Sequence, residues 1–333
     1  MYFFVVHLIG LMAIMMLVDC RPDPSLDSHW QLWAKTHEKT YNKEDEFRRR
    51  SIWEDNLKFI MVHNLEYSLG LHSYEVGMNH LGDMTGEEVL VTMTGFGSLD
   101  LPVSNDTDLP EIVLKSKVPE SMDWRKQNCV TDVKDQGMCS SSWAFSSAGA
   151  LECQLKIRKG KLVSLSAQNL VDCSGSYGNN GCEGGFLVAA YRYMMDNGIE
   201  PDSAYPYEGQ DRTCHFSTTK KATSITSYKE VAHGDENELK QVVGKVGPVS
   251  VAIDASRRSF YLYKNGVHYD PLCSSSQANH AVLIVGYGAE DGVEYWLVKN
   301  SWGTSFGEGG YIKMARNHYN HCGIANFGSY PVL

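Results

Sequence analysis

Residue types that could do chemistry at this spacing gather between Gln136 and Ser147, read as Gln-Gly-Met-Cys-Ser-Ser-Ser-Trp-Ala-Phe-Ser-Ser. Gln136-Gly137 closes a polar loop. From Trp143 an apolar run continues through Phe145, Ala148, Leu151 and Leu155, at the three-to-four spacing of one helix face, and Gly160 supplies a stop. The pattern predicts a helix with Ser142 at its N-terminus, where unpaired N–H groups and the helix dipole stabilise negative charge. Such a position suits a nucleophile or an oxyanion. It equally suits a plain N-cap, which serine fills well. Two distant segments carry further reactive side chains: Asn279-His280-Ala281 precedes an apolar strand-like run, and Lys299-Asn300-Ser301-Trp302-Gly303 follows another.

Together the three segments resemble the papain-like cysteine proteases, whose nucleophile segment reads Gln-Gly-x-Cys-Gly-Ser-Cys-Trp-Ala-Phe. The chain departs from that pattern twice. Ser142 stands where the family has its catalytic cysteine, and Ser140 where it has glycine. The resemblance implies Ser142, His280, Asn300 and Gln136 as the catalytic group, with Trp302 shielding it and Gly184 and Gly185 along the cleft. It also implies a pocket for the second substrate side chain before the cut, lined by Phe186, Leu187, Ala252, Ala278, Ala281 and Phe327. All six are apolar, which suits Leu, Val or Phe. Neither a cofactor nor a metal is implied.

A serine changes the mechanism that such a group can run. A thiol has a reference pKa of about 8.5, and an imidazole with a helix N-terminus lowers it by several units, so a cysteine rests as a thiolate–imidazolium pair. A hydroxyl is far less acidic, and Ser142 needs His280 as a general base during attack. Asn300 is then a poor third member, since a neutral amide orients the ring without stabilising its charged form. Replacing the carboxylate of a serine-protease triad by an amide costs about 10⁴ in turnover. Gln136 and the Ser142 backbone N–H remain as an expected oxyanion hole. Peptide binding should survive, with hydrolysis weak or lost.

The elements that would position these residues can be read in order. The chain has 333 residues, 43% hydrophobic and 21% charged, a net charge of −10 and an acidic balance that argues against nucleic acid. The acidity is uneven: the first 117 residues hold 10 basic and 18 acidic side chains, the rest 20 and 22. Residues 2–18 are almost wholly apolar, which suits a signal peptide over 1–20 and a route through the secretory pathway to lysosome or endosome, or to secretion. Asn105-Asp106-Thr107 is a glycosylation sequon. Asp45, Arg49, Trp53, Asn56, Ile60 and Asn64 fall on one helix stripe, and Gly77-x-Asn79-x-Leu81-x-Asp83 comes after it. Both resemble propeptide signatures of the cathepsin L-like group, so 21–117 is expected to be a helical inhibitory propeptide whose tail lies in the cleft. From Gly95 to Lys117 periodicity is lost and a linker is expected. Val118-Pro119-Glu120 resembles the mature N-terminus of that group.

Residues 118–333 read as a papain-like α+β peptidase domain, helices early and strands late, in two lobes. Val249–Ile253, Ala281–Val285 and Tyr295–Val298 are expected strands. Eight of the nine cysteines lie here, without a Cys-x-x-Cys pair, which predicts disulfides rather than zinc. The resemblance implies Cys139–Cys182, Cys173–Cys214 and Cys273–Cys322. It leaves Cys129 over and makes Cys153 a buried free thiol. Segments such as His29-Trp30-x-Leu32-Trp33 and Glu294 to Gly303 resemble the cathepsin S branch, although Ala252 and Ala281 replace its glycines. Three functions fit: a lysosomal cathepsin S-type endopeptidase of low activity, a non-catalytic protein that binds peptides or propeptide-like inhibitors, and a silicatein-like Ser-His-Asn protein. An engineered knockout is a fourth origin for the serine, against which Ser140 argues. Expected partners are peptide or protein substrates, the chain's own propeptide and protein inhibitors of cathepsins, around a monomer with no stable membrane association.

Overall fold

The computed structural model describes residues 22–95 and 117–333. The expected signal peptide, Asn105 and most of the expected linker lie outside them. No helix of the described residues is long and apolar enough to cross a membrane.

The first segment builds α1 (Asp27–Thr36), the long α2 (Lys43–Ser68), β1 (Tyr74–Val76) and α3 (Gly86–Thr92). Asn42 starts α2 by accepting the N–H groups of Glu44 and Asp45, and Glu44, Asp45 and Glu46 complement the dipole in its first turn. The asparagines on the buried stripe of α2 serve the backbone. Asn56 Nδ2 donates to the carbonyls of Gly82 and Met84, and Asn64 pairs with both backbone groups of Val76. A leucine at either position would leave those carbonyls buried without donors. Trp30, Trp33 and Trp53 form a small core of their own. The rest of the segment has no separate core. Ile60, Tyr74, Leu81, Met84, Val89 and Met93 belong to the same apolar cluster as the sheet they cover.

The helical lobe holds α4 (Ser142–Lys159), α5 (Ala167–Cys173) and α6 (Leu187–Asp196). The expected stop is real: Gly160 caps α4 at φ 73°, a left-handed conformation that suits glycine. The sheet lobe carries α7 (Glu236–Lys245), the single turn α8 (Arg258–Tyr261) and strands β2 (Met122–Asp123), β3 (Ser227–Glu230), β4 (Val249–Ile253), β5 (Tyr263–His268), β6 (His280–Glu290), β7 (Val293–Lys299), β8 (Tyr311–Ala315) and β9 (Ser329–Val332). Their order is β1-β5-β8-β7-β6-β4-β9-β3, with β2 on β6. The propeptide therefore adds a strand to the edge of the lobe that it covers, with Tyr74 opposite Gly266. This is the expected α+β arrangement of two lobes, preceded by a mostly helical segment.

All three disulfides implied by resemblance are present. The expectation of a free Cys153 is wrong: it is bonded to Cys129. A bridge of only 24 residues' separation ties the strand-poor N-terminal loop of the domain to the middle of α4. Nothing in the local sequence of either cysteine announces the other, because the contact is made by the loop's return across the helix.

Candidate functional site

Ser142 is the first residue of α4, fully buried, and the capping position belongs to Ser141. Ser141 makes no cap hydrogen bond, and its hydroxyl instead pairs with the Tyr207 hydroxyl at 2.7 Å. The structural use of Ser142 as an N-cap is thus excluded. Its Oγ accepts the N–H of Ala281 at 3.2 Å, one residue beyond His280. The chain brings the two lobes together at that point.

His280 opens β6 and is fully buried. Its Nε2 lies 2.8 Å from Asn300 Oδ1, which also accepts the N–H of Ser301 at 2.8 Å. Two donors on one oxygen identify it as the amide's acceptor, so Nε2 carries the proton. Nδ1 then holds a lone pair, and it has no hydrogen-bond partner. Trp302 covers the ring at 4.6 Å between centroids. Burial pushes the imidazole down to about 4, against a smaller opposing effect of the Asn300 bond. No carboxylate is among the influences on it. His280 is therefore a neutral base at pH 7, which suits assistance to a hydroxyl and does not suit a resting imidazolium.

Gln136 is anchored at both ends to residue 301: its N–H reaches the Ser301 carbonyl at 2.8 Å, and its Oε1 accepts the Ser301 hydroxyl at 2.7 Å. That fixes the amide so that Nε2 points outward, where it donates to the carbonyls of Cys139 and Met93 at 2.9 and 3.0 Å. Ser301 carries no sequence signal of this role beyond its place between Asn300 and Trp302. Trp302 Nε1 donates to the same Met93 carbonyl at 2.9 Å.

Met93 and Gly95 follow α3, within the stretch expected to be propeptide. Gly95 donates to the Asn279 carbonyl at 3.0 Å and accepts the N–H of Gly185 at 2.9 Å. Gly95, expected as the first residue of the linker, is instead held in the cleft by these two bonds. A Cβ on Gly95 would sit 1.9 Å from the Ser140 carbonyl oxygen, and one on Gly185 would meet the Trp143 ring at 2.7 Å. Ser140 turns its hydroxyl to the Val91 and Thr92 carbonyls at 3.3 and 3.4 Å.

The six apolar positions are spread over both lobes. Ala252 and Ala281 face each other across β4 and β6, both fully buried. Phe186 caps α6 and Leu187 begins it, the latter in one buried cluster with Trp143 and Ala281. Ala278 is half-buried on the loop before His280, and Phe327 is half-buried before β9, edge-on to His233 at 6.2 Å. Gly184, at φ 114°, leaves 3.0 Å between a would-be Cβ and the Gly95 carbonyl.

Behind the site, Glu152 on α4 accepts Thr131 Oγ1 at 2.7 Å, and Lys299 Nζ donates to the Thr131 carbonyl at 2.8 Å. Burial raises the Glu152 carboxyl and lowers the Lys299 ammonium. This relay ties the helix of Ser142 to the strand that ends at Lys299, one residue before Asn300. Sequence reasoning missed it, since a single Glu on a helix carries no sign of being buried.

A family model described as papain family cysteine protease matches residues 118–332, and one described as cathepsin propeptide inhibitor domain matches 30–89. Cathepsin S of Mus musculus is 54% identical over 316 residues, covering 93% of this chain and 92% of that protein. Cathepsin S of Bos taurus is 56% identical over 318 residues, covering 93% and 94%. Among solved structures, digestive procathepsin L 3 of Tenebrio molitor larval midgut aligns with a TM-score of 0.86 at 43% identity, covering 93% of this chain and 100% of that one. Recombinant stem bromelain precursor aligns at 0.83 and 35% identity, covering 93% and 99%.

Proposed function

We propose, for a chain that belongs to the papain family of cysteine proteases, that it is a cathepsin S-like zymogen of the secretory route in which Ser142 occupies the nucleophile position. Its mature part, released by cleavage near Val118, binds peptides with an apolar side chain at the second position before the cut and hydrolyses them weakly. The residues divide the work in a defined way. His280 Nδ1, with its free lone pair, takes the Ser142 proton as the hydroxyl attacks the peptide carbonyl. Asn300 holds Nε2–H and so keeps the lone pair on Nδ1. Gln136 Nε2 and the Ser142 N–H receive the developing oxyanion; in the zymogen the Met93 carbonyl oxygen takes the oxyanion's place on Gln136 Nε2. Phe186, Leu187, Ala252, Ala278, Ala281 and Phe327 accept the apolar side chain.

The observation that carries this reading is the neutral, Asn300-held imidazole one residue from the N–H that binds Ser142 Oγ. The same bond favours a second reading, peptide binding without cleavage. Ser142 Oγ is held by Ala281 rather than by His280, so the hydroxyl must leave that N–H before it can be activated. The deciding experiment compares the mature protein with Ser142→Cys on dipeptidyl substrates bearing Leu next to the cleavage residue. Slow turnover by the parent that His280→Ala abolishes supports weak proteolysis. Peptide binding with no turnover above the His280→Ala level selects the binding-only reading.

A further inference from the structure

We propose that the β5 edge, once cleavage near Val118 has released the propeptide, is a strand-addition exosite that captures an extended, acid-centred segment of a protein substrate. The proposal rests on the proteolytic reading given above and adds a second contact away from the cleft. In the zymogen β1 lies on this edge, antiparallel to β5, with Tyr74 opposite Gly266, Glu75 opposite Asn265 and Val76 opposite Tyr263. β1 is an end strand of the sheet, so β5 becomes the end when β1 leaves. An end strand presents unpaired N–H and C=O groups to any extended chain.

The groups that would be uncovered are identified by what they hold now. Val267 N–H donates to the Ser73 carbonyl at 2.9 Å, and the Val267 carbonyl accepts the Ser73 hydroxyl at 2.6 Å. The Leu262 carbonyl accepts the Gly77 N–H at 2.7 Å. Gly266 adopts φ 84°, and a Cβ there would lie 2.5 Å from the Ser73 carbonyl oxygen. β5 itself therefore leaves the room that an incoming backbone needs.

Side chains add selection. Tyr74 and Val76 are buried in the apolar cluster of the sheet lobe, the Tyr74 ring 4.8 Å from that of His268. Glu75, between them, faces the other way, as alternation along a strand requires. It accepts Asn265 Nδ2 at 2.8 Å, and Lys264 Nζ lies 3.6 Å from the same oxygen. Glu75 and Val76 span three residues of β5, so Lys264 is the extra residue of a bulge. A bulged edge that carries a lysine resists chance pairing, and it admits a segment that sets an acid against that lysine. A Cβ on Gly77 would meet the Lys264 side chain at 3.2 Å. The edge thus fits an aromatic residue, an acid and a β-branched residue in that order, with serine before them and glycine after. A substrate held there raises the local concentration of its scissile part at the cleft.

The test uses the mature protein and two peptides that carry the same apolar cleavage sequence. One is joined through a Gly/Ser linker of about 20 residues to Ser-Tyr-Glu-Val-Gly, the other to a scrambled order of the same five. Fluorescence anisotropy reads binding without any need for turnover by Ser142, and circular dichroism monitors the fold. The ordered peptide should bind at least about tenfold more tightly than the scrambled one. Lys264→Glu combined with Asn265→Asp should erase that difference and leave the affinity for the scrambled peptide unchanged. A peptide with Lys in place of Glu should recover the difference in the double variant, because opposite charges then face each other again. Ordered binding where the scrambled peptide does not bind at all would support the exosite and count against the reading of the cleft instead. Equal affinities in the parent would overturn the proposal, and so would a preference that survives the double variant. A mature protein that sediments as a dimer, and as a monomer once the two residues are changed, would also overturn it, since a second copy would then occupy β5.

Discussion

Two fully buried histidines in this molecule are held alike in different surroundings. His280 and His268 each have Nε2 in a hydrogen bond, to Asn300 and to Ser259, and each leaves Nδ1 without a partner. Burial pushes both below the ordinary imidazole range. What separates them is the neighbour. His280 stands one residue from the N–H that binds Ser142 Oγ, under a strip of propeptide that can leave. His268 stands beside a disulfide, under Tyr74 of β1, whose ring lies 4.8 Å away.

The sharpest way to test the His280 half is to change only its neighbour. Ser142→Cys should raise kcat/KM on peptides with an apolar second residue by about 10³–10⁴-fold, because a thiolate supplies the charge that holds an imidazolium and Asn300 cannot. The variant should also react with thiol-directed epoxides, whereas the parent should not. Equal turnover by the two proteins would refute the argument from acidity.

Changing the support instead of the neighbour should have a smaller effect of the same sign. Asn300→Asp places a carboxylate on Nε2–H, lifts His280 from about 4, and completes a serine-type triad. Turnover by Ser142 should rise by at least about tenfold, at some cost in thermal stability from the buried charge. A pH profile that does not move would place Asn300 outside the mechanism.

Acid acts on several buried histidines at once. His280, His321 and His80 each lie at about 4 when folded, against an ordinary value of 6.5. Their folded values are depressed, so the unfolded chain binds more protons between these limits. Stability is complete above about pH 6.5 and is lost as pH falls toward 4, each group adding up to about a tenfold change in the unfolding constant per pH unit. His80 matters most for the zymogen. It is a propeptide residue with both ring nitrogens unpartnered, near Asp135 of the mature part. Urea midpoints measured from pH 7 to 4 should fall, and His80→Phe should flatten part of that slope.

The cover over His280 should be the easiest to loosen. Gly95→Ala forces a Cβ against the Ser140 carbonyl, so exchange of the Gly185 amide should speed up by about tenfold or more while amides of β5, beneath β1, stay protected. Ser140→Ala removes two long contacts to Val91 and Thr92 and should speed the same exchange only about two- to fivefold. Uniform acceleration across both regions would mean that the propeptide leaves as one unit.

Much of the molecule is legible in its residues. The α4 helix, its start beside Ser142 and its stop at Gly160 arise from apolar spacing and one glycine, which are local properties of the chain. The expected strands at Val249–Ile253 and through 281–285 and 295–298 are there for the same reason, and so is the α2 stripe from Asp45 to Asn64. The resemblance of three separated segments named the family and three of the four disulfides. What escaped was whatever depends on a return of the chain from elsewhere. Cys129 meets Cys153 only because the loop that follows Cys129 lies against α4, with Thr131 bonded to Glu152. Gly95 reads as the start of a linker by composition, yet two backbone bonds from opposite lobes hold it in the cleft. Glu152 and Lys299 carry no mark of burial in the sequence, and both are buried in the fold. The serine at 142 is a fact of the sequence alone. That His280 is neutral and without an anion nearby was decided by burial, because desolvation depends on everything packed around a side chain and not on its neighbours in the chain.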